Sequence, residues 1–153
     1  MERKELEEEN RLLEERVNNI SWEEMEAAGM LRWASEAFPR RAVLATSFQN
    51  TGMAMLHMAI EQGLEIRFAT LDTLRLHSET YEFMKEVKER YGCAIEVWQP
   101  KPAHLQRMVD RFGEYLFFDS KEKQEHCCDV RKTKPLNEML KTADCWISGQ
   151  RWD

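Results

Sequence analysis

The chain has 153 residues, enough for one domain with a real core. Its net charge of −6 argues against non-specific nucleic-acid binding through bulk charge, and no apolar run approaches the roughly 20 residues of a membrane-spanning helix. The start is charged from Glu2 onward and lacks the apolar segment of a secretory signal, so the four cysteines are expected as thiols or metal ligands in a reducing, cytoplasmic compartment.

Glu2 to Ile20 is expected as a helix. Leu6, Leu13 and Ile20 fall at d positions of a heptad, with Asn10 and Val17 at a. That spacing permits a short coiled coil, and with it a homo-oligomer, because an Asn at a sets register and favours a dimer. The alternative is a solvated helix packed on its own domain. We therefore divide the chain into an N-terminal helix, 1–20, and a domain, 21–153.

A second helix is expected from Ser21. Ser21-Trp22-Glu23-Glu24 has the form of a capping box, Ile20 and Met25 that of a hydrophobic staple, and Pro39 stops the run. Ala42 to Thr46 is an apolar run of strand formers. Ser47-Phe48-Gln49-Asn50-Thr51-Gly52 reads as a polar turn, followed by a helix over Met53 to Gln62. Such a turn aims backbone N–H groups and a positive helix end at an anion, although every α/β protein has turns of this kind.

Glu65 to Leu71 is a second strand, ending in Asp72-Thr73-Leu74-Arg75. Ser78 to Tyr91 reads as a helix with Ser78 as its cap and Gly92 as its stop. Ala94 to Trp98 is a third strand and Ala103 to Phe112 a helix. Gly113 to Gln124 has mixed signals, as a loop over the site would. His126 to Leu140 carries two adjacent cysteines into a helix, and Cys145 to Ser148 is a fourth strand before Gly149-Gln150-Arg151. Strands alternating with helices imply a parallel sheet with helices on both faces, an α/β fold whose ligands sit beyond the carboxyl ends of the strands. Three of those ends, at Ser47 to Gly52, Asp72 to Arg75 and Gly149 to Arg151, carry donors and cations suited to a nucleotide or oxyanion.

Cys127 and Cys128 need their own account. Neighbours on a helix point about 100° apart, which suits neither a tetrahedral zinc knuckle nor a CxxC redox pair. A large, soft metal cluster accepts two adjacent thiolates more easily than a single small ion does. Arg131, Lys132 and Lys134 would offset the thiolate charge and could also meet a phosphate or sulfate. The plain alternative is a pair of buried thiols behaving as small hydrophobes.

Four motifs then occur in order: Thr46-Ser47-Phe48-Gln49; Thr70-Leu71-Asp72-Thr73-x-Arg75-Leu76 with Glu79-Thr80-Tyr81; Cys127-Cys128-x-x-Arg131-Lys132-x-x-Pro135-Leu136; and Trp146-Ile147-Ser148-Gly149-Gln150-Arg151. Together they resemble the assimilatory adenylyl-sulfate reductases, relatives of the phosphoadenylyl-sulfate reductases, over roughly Ala42 to Asp153; the double cysteine favours the adenylyl-sulfate branch. The resemblance implies an adenine-nucleotide α-hydrolase-like fold of the PP-loop type and a [4Fe–4S] cluster. It also implies reduction of adenylyl sulfate to sulfite and AMP, with thioredoxin as electron donor. On that reading Ser47, Phe48, Gln49, Asn50, Thr51 and Gly52 match the modified phosphate-binding loop. Leu71, Asp72, Arg75, Arg131, Gly149, Gln150 and Arg151 belong to the nucleotide site. Cys127 and Cys128 match the first pair of cluster ligands, and Lys132 matches a lysine between cluster and substrate.

The chain also departs from the pattern. Asn50-Thr51 replaces an acidic pair, Leu74 stands where Gly is usual, Ser78 where Pro is usual, and Trp152 where a second Arg is usual. The family's downstream C-x-x-C pair and its nucleophilic cysteine are expected beyond Asp153, since Cys93 and Cys145 sit at neither position. Without the nucleophile this chain alone is expected to be inactive. The competing readings are a non-catalytic nucleotide- or metal-binding module that dimerises through Leu6 to Ile20, and an interaction protein with buried thiols.

Overall fold

The computed structural model describes residues 3–150. Four short strands, β1 (Ala42–Ala45), β2 (Arg67–Leu71), β3 (Ile95–Trp98) and β4 (Cys145–Ile147), form one parallel sheet in the order β3-β2-β1-β4. The helices are α1 (Arg3–Asn18), α2 (Ala27–Ala37), α3 (Asn50–Glu61), α4 (Ser78–Tyr91), α5 (Pro102–Phe112), α6 (Lys121–Cys128) and α7 (Lys134–Leu140).

Alternation along the strands builds two layers of core. Ala42 and Leu44 of β1 and Phe68 of β2 face Leu31 and Ala34 of α2, Leu56 and Ala59 of α3, and Val87 of α4. Val43 and Ala69, one residue out of phase, face Met139 with Leu136 and Leu140 of α7. Val43 and Leu44 have no exposed surface, so β1 is buried on both faces and reads as the continuous apolar run of a central parallel strand. A third cluster, Met108, Leu116, Cys127 and Val130, joins α5 to α6.

The expected order of elements holds, with four local differences. Ser21 makes no capping bond; Trp22–Glu24 is a single 3₁₀ turn, and α2 starts only at Ala27. The chain is held there by Trp22, whose indole donates to the Val17 carbonyl at 3.0 Å and meets Trp33 edge-on at 4.9 Å. The helix expected from Met53 begins at Asn50, so Asn50, Thr51 and Gly52 form its first turn. Ser78 is not a cap: extended His77 holds that position, and the Ser78 hydroxyl bonds Glu79 at 3.1 Å. Finally, the expected single helix over His126 to Leu140 is divided by a π turn at Asp129–Thr133. Pro135 has no N–H for the Arg131 carbonyl and its ring would crowd that group, and the inserted residue relieves both. Gly113 to Gln124 contains a 3₁₀ turn at Leu116–Phe118 and the start of α6, which Ser120 caps by accepting from the Lys123 amide at 3.3 Å.

Arg67 ties the lower sheet together. Its guanidinium donates to both carboxylate oxygens of Glu96 on β3, at 2.7 and 2.9 Å, and to the carbonyl and hydroxyl of Thr142 at 2.7 and 2.8 Å. Replacement by Ala is expected to cost about 1–2 kcal/mol, since a bidentate, half-buried pair outweighs a solvated one. Urea unfolding measures it, and an unchanged midpoint would remove Arg67 from the sheet's support.

Candidate functional site

The strand order sets the site. β2 and β3 extend the sheet to one side of β1, while β4 returns on the other, so the direction of winding reverses between β1 and β4. A crevice opens beyond the carboxyl ends of strands at such a switch point. Here it is a cavity of about 330 Å³, bounded by Ser47 and Gln49 after β1, Thr51 and Gly52 of α3, Leu71 of β2, and Gly149 and Gln150 after β4. Seven of the residues expected at the nucleotide site are thus brought together. α3 points its N-terminus at this space, and the first amides of a helix have no partner within the helix.

Two glycines make the crevice possible. A Cβ on Gly52 would strike the hydroxyl of buried Thr46, which accepts from the Phe48 amide at 2.9 Å. A Cβ on Gly149 would lie 2.6 Å from the Thr51 hydroxyl. The tip of β4 therefore sits directly on the start of α3.

The other expected residues take different places. Phe48, at φ 61°, turns its ring onto the first core and meets Phe83 edge-on at 6.2 Å, outside the cavity. Asn50 is exposed on the first turn of α3 and does not line it. Arg151 lies outside the described residues. Thr46, Thr70, Leu136, Trp146 and Ser148 line the cavity and were not singled out as site residues. Of these, exposed Trp146 on a sheet-edge strand is the one that sequence could have flagged.

Asp72 braces the β2 tip. Its carboxylate accepts from the Tyr81 hydroxyl at 2.7 Å, the Gln99 amide at 2.9 Å and the Leu74 amide at 2.8 Å. Burial pushes the carboxyl up, but these three bonds outweigh it and hold it below the ordinary carboxylate range. The turn they fix places Leu74 at φ 59°, the left-handed region that glycine favours.

Cys127 and Cys128 line a second cavity of about 260 Å³ with Thr73, Arg75, Arg131 and Lys132; it shares no lining residue with the crevice, but Thr73 stands two residues beyond Leu71. Cys127 is buried and Cys128 exposed. Arg131 is the link to the sheet: buried on the π turn, it donates to the Thr73 carbonyl at 2.7 Å. Arg75 donates to the Glu114 carbonyl at 2.8 Å and lies 5.0 and 5.2 Å from the ring centres of Tyr115 and Phe117. The expected loop over the site is thus held against the β2 tip. Both arginines leave a buried Nε without a partner. Three cations thus stand beside the two thiols, with Arg75 already paired to the Glu114 carboxylate at 3.1 Å.

A [4Fe–4S] cluster takes four thiolates. Cys93 precedes β3 and Cys145 opens β4, at the amino ends of strands, and both pack against the first core. Burial pushes both thiols up, toward the protonated form. Among the described residues no group of three or more His, Cys, Asp or Glu side chains could hold a metal ion. The second cavity alone therefore offers two of the four ligands.

Comparison with known proteins adds a family. The model of the phosphoadenosine phosphosulfate reductase domain matches residues 41–153. The adenosine 5'-phosphosulfate reductase of Burkholderia cepacia is 36% identical over 107 residues, which are 70% of this chain and 43% of that protein. That of Allochromatium vinosum is 38% identical over 109 residues, 71% of this chain and 43% of that protein. That of Sinorhizobium fredii is 33% identical over 138 residues, 90% and 55% of the two lengths. The chain thus spans about half the length of the curated relatives it matches. The crystal structure of phosphoadenylyl-sulfate reductase from Candida auris, in its phosphate complex, superposes with a TM-score of 0.73 at 21% identity. It covers 87% of this chain and 64% of that one, a likeness of fold.

Two measurements test the β2 tip. Leu74 is 44% exposed and loses little burial on truncation, so Leu74→Gly should raise stability by about 1 kcal/mol; a fall would refute the strain. Asp72 has a folded pKa below its unfolded value of about 3.9, so its contribution is present above that pH and lost as pH falls through the folded value. Tyr81→Phe should cost about 1–2 kcal/mol at neutral pH and flatten the loss in acid. An acid limb as steep as before would show that Tyr81 does not hold the carboxylate.

Proposed function

From the premise that the chain belongs to the phosphoadenosine phosphosulfate reductase domain family, we propose that it is the nucleotide-binding part of an adenylyl-sulfate reductase of sulfate assimilation, working in the cytoplasm. The observation that carries this reading is a pair of cavities lined from either side of the β2 tip, one reached by Leu71 and the other by Thr73. One is a switch-point crevice fronted by a helix N-terminus; the other is a cationic recess holding two thiols. Adenylyl sulfate has a matching division, an adenylyl group and a sulfo group joined through one phosphate oxygen.

The adenylyl group occupies the crevice. Its phosphate meets the first-turn amides of α3 with the hydroxyls of Ser47 and Thr51, and Gly149 and Gln150 form the opposite wall. The sulfo group reaches toward Arg75, Arg131 and Lys132, which attract its charge and that of the departing AMP. A thiolate from outside this chain attacks sulfur; the S–O bond to AMP breaks and a thiosulfonate forms. A thiol of thioredoxin then attacks that thiosulfonate, releasing sulfite and leaving a disulfide, and the donor's second thiol resolves it. Two electrons pass from thioredoxin to sulfur. Cys127 and Cys128 would hold a [4Fe–4S] cluster as two of its four thiolate ligands, and such a cluster would supply a redox-active iron centre.

Titration calorimetry with adenylyl sulfate and AMP tests the binding role directly. Saturable heat with both is expected, and Gly149→Val should abolish it by forcing the β4 tip off Thr51, with circular dichroism checking that the fold is kept; no heat with either ligand would overturn the reading. Lys132 is exposed, so Lys132→Ala should weaken adenylyl sulfate by only about 0.5–1 kcal/mol. Arg131 is buried without a carboxylate partner among the described residues, so Arg131→Met should bind adenylyl sulfate at least about tenfold more weakly while unfolding no more easily than the parent. Equal loss of stability and binding would make Arg131 a purely structural residue. For the cluster, Cys128→Ser should lower iron and sulfide after anaerobic purification of the longer protein.

A further inference from the structure

A groove on the outer side of the cysteine helix is used by none of this chemistry. α5 forms one wall and the run from α6 through α7 the other. Two cavities of about 410 and 510 Å³ share His104 and Lys134 and so run together. Five lysines and arginines line it, Lys101, Arg107, Arg111, Lys134 and Lys141, against one acidic lining residue, Glu138. This is a cationic strip on a chain of net charge −6.

Most of the cations are answered. Lys101 and Lys141 pair with Glu138 at 3.4 and 2.7 Å, and Lys134 with Asp129 at 3.1 Å. Arg107 and Arg111 are not. They stand four apart on α5, where like charges repel, and among the described residues neither has a carboxylate within 4 Å. Arg107 turns back to its own helix at the Ala103 carbonyl, 3.2 Å away, and Arg111 lies over the Phe112 ring at 4.9 Å. Apolar side chains also line the groove, among them half-buried Phe112 and Trp98.

We propose that this groove docks an acidic, amphipathic segment of a partner protein. Carboxylates of the segment answer Arg107 and Arg111, and an apolar side chain seats beside Phe112. A small dianion is a poorer fit, because the two arginines are exposed and no buried polar atom of the groove lacks a partner. A nucleic acid is also poorer. α5 spans only about 16 Å, a short track for a polyanion, and the chain as a whole carries net charge −6. His126 lines this groove and Cys127 the adjoining recess, so a docked partner lies one residue from the thiols.

Fluorescence anisotropy with a labelled peptide of repeating Glu-Glu-Leu-Leu blocks tests the proposal on the chain itself. Saturable, salt-sensitive binding is expected, weakened about tenfold or more by Arg107→Glu with Arg111→Glu. Lys85→Glu with Lys88→Glu on α4, the same change of charge elsewhere, should alter it less than about twofold. Circular dichroism checks the fold, and Arg107→Gln with Arg111→Gln should act in the same direction if the reversed pair does not fold. Equal loss in the α4 variant would reduce the effect to bulk charge and overturn the proposal. So would tighter, Arg107-dependent binding of a labelled oligonucleotide. A salt-sensitive dimer of the chain abolished by the same pair would assign the groove to a second copy instead.

Discussion

The central strand, β1, constrains everything else. It pairs in parallel with β2 on one side and β4 on the other, and Val43 and Leu44 have no exposed surface. A strand buried on all sides admits only one register, because a slip of one residue would exchange its two faces. That register carries the tips of β2 and β4 to either side of Ser47 and brings α3 up beneath them. The crevice is therefore a consequence of connectivity, and the residues lining it refine a space that topology had already opened.

The second recess has a different origin. Its thiols lie at the end of α6, and Arg131, on the π turn that follows, reaches the Thr73 carbonyl just beyond β2. A buried guanidinium with a single carbonyl partner is an expensive feature if stability alone is considered. Arg75 is held nearby by Tyr115, Phe117 and Glu114, so two guanidinium groups converge on the β2 tip.

Much of this was legible beforehand. Strand runs such as Ala42 to Ala45, the left-handed stop at Gly92 and the polar strand ends follow from local chemistry, and the reversal of winding follows once β4 is placed. What was hidden depends on distant partners. The capping box at Ser21 fails because Trp22 is drawn to Trp33 and the Val17 carbonyl, and no local propensity reports that. The break before Pro135 was visible in principle, whereas the direction in which it turns Arg131 was not. Asp72 looked like a ligand-facing carboxylate; its three internal donors come from Leu74, Tyr81 and Gln99, and only the second of these stood in the recognised motif.

The glycine contacts impose a rule on how this site can change. Gly52 abuts Thr46, and Gly149 abuts Thr51, so β1, α3 and β4 mesh through two small-against-hydroxyl seats. A larger residue in either seat demands a smaller one opposite, and single substitutions at 46, 51, 52 and 149 will not sum. Variation in the loop should then accumulate as compensated pairs, leaving isolated changes at these four positions rare among functional descendants.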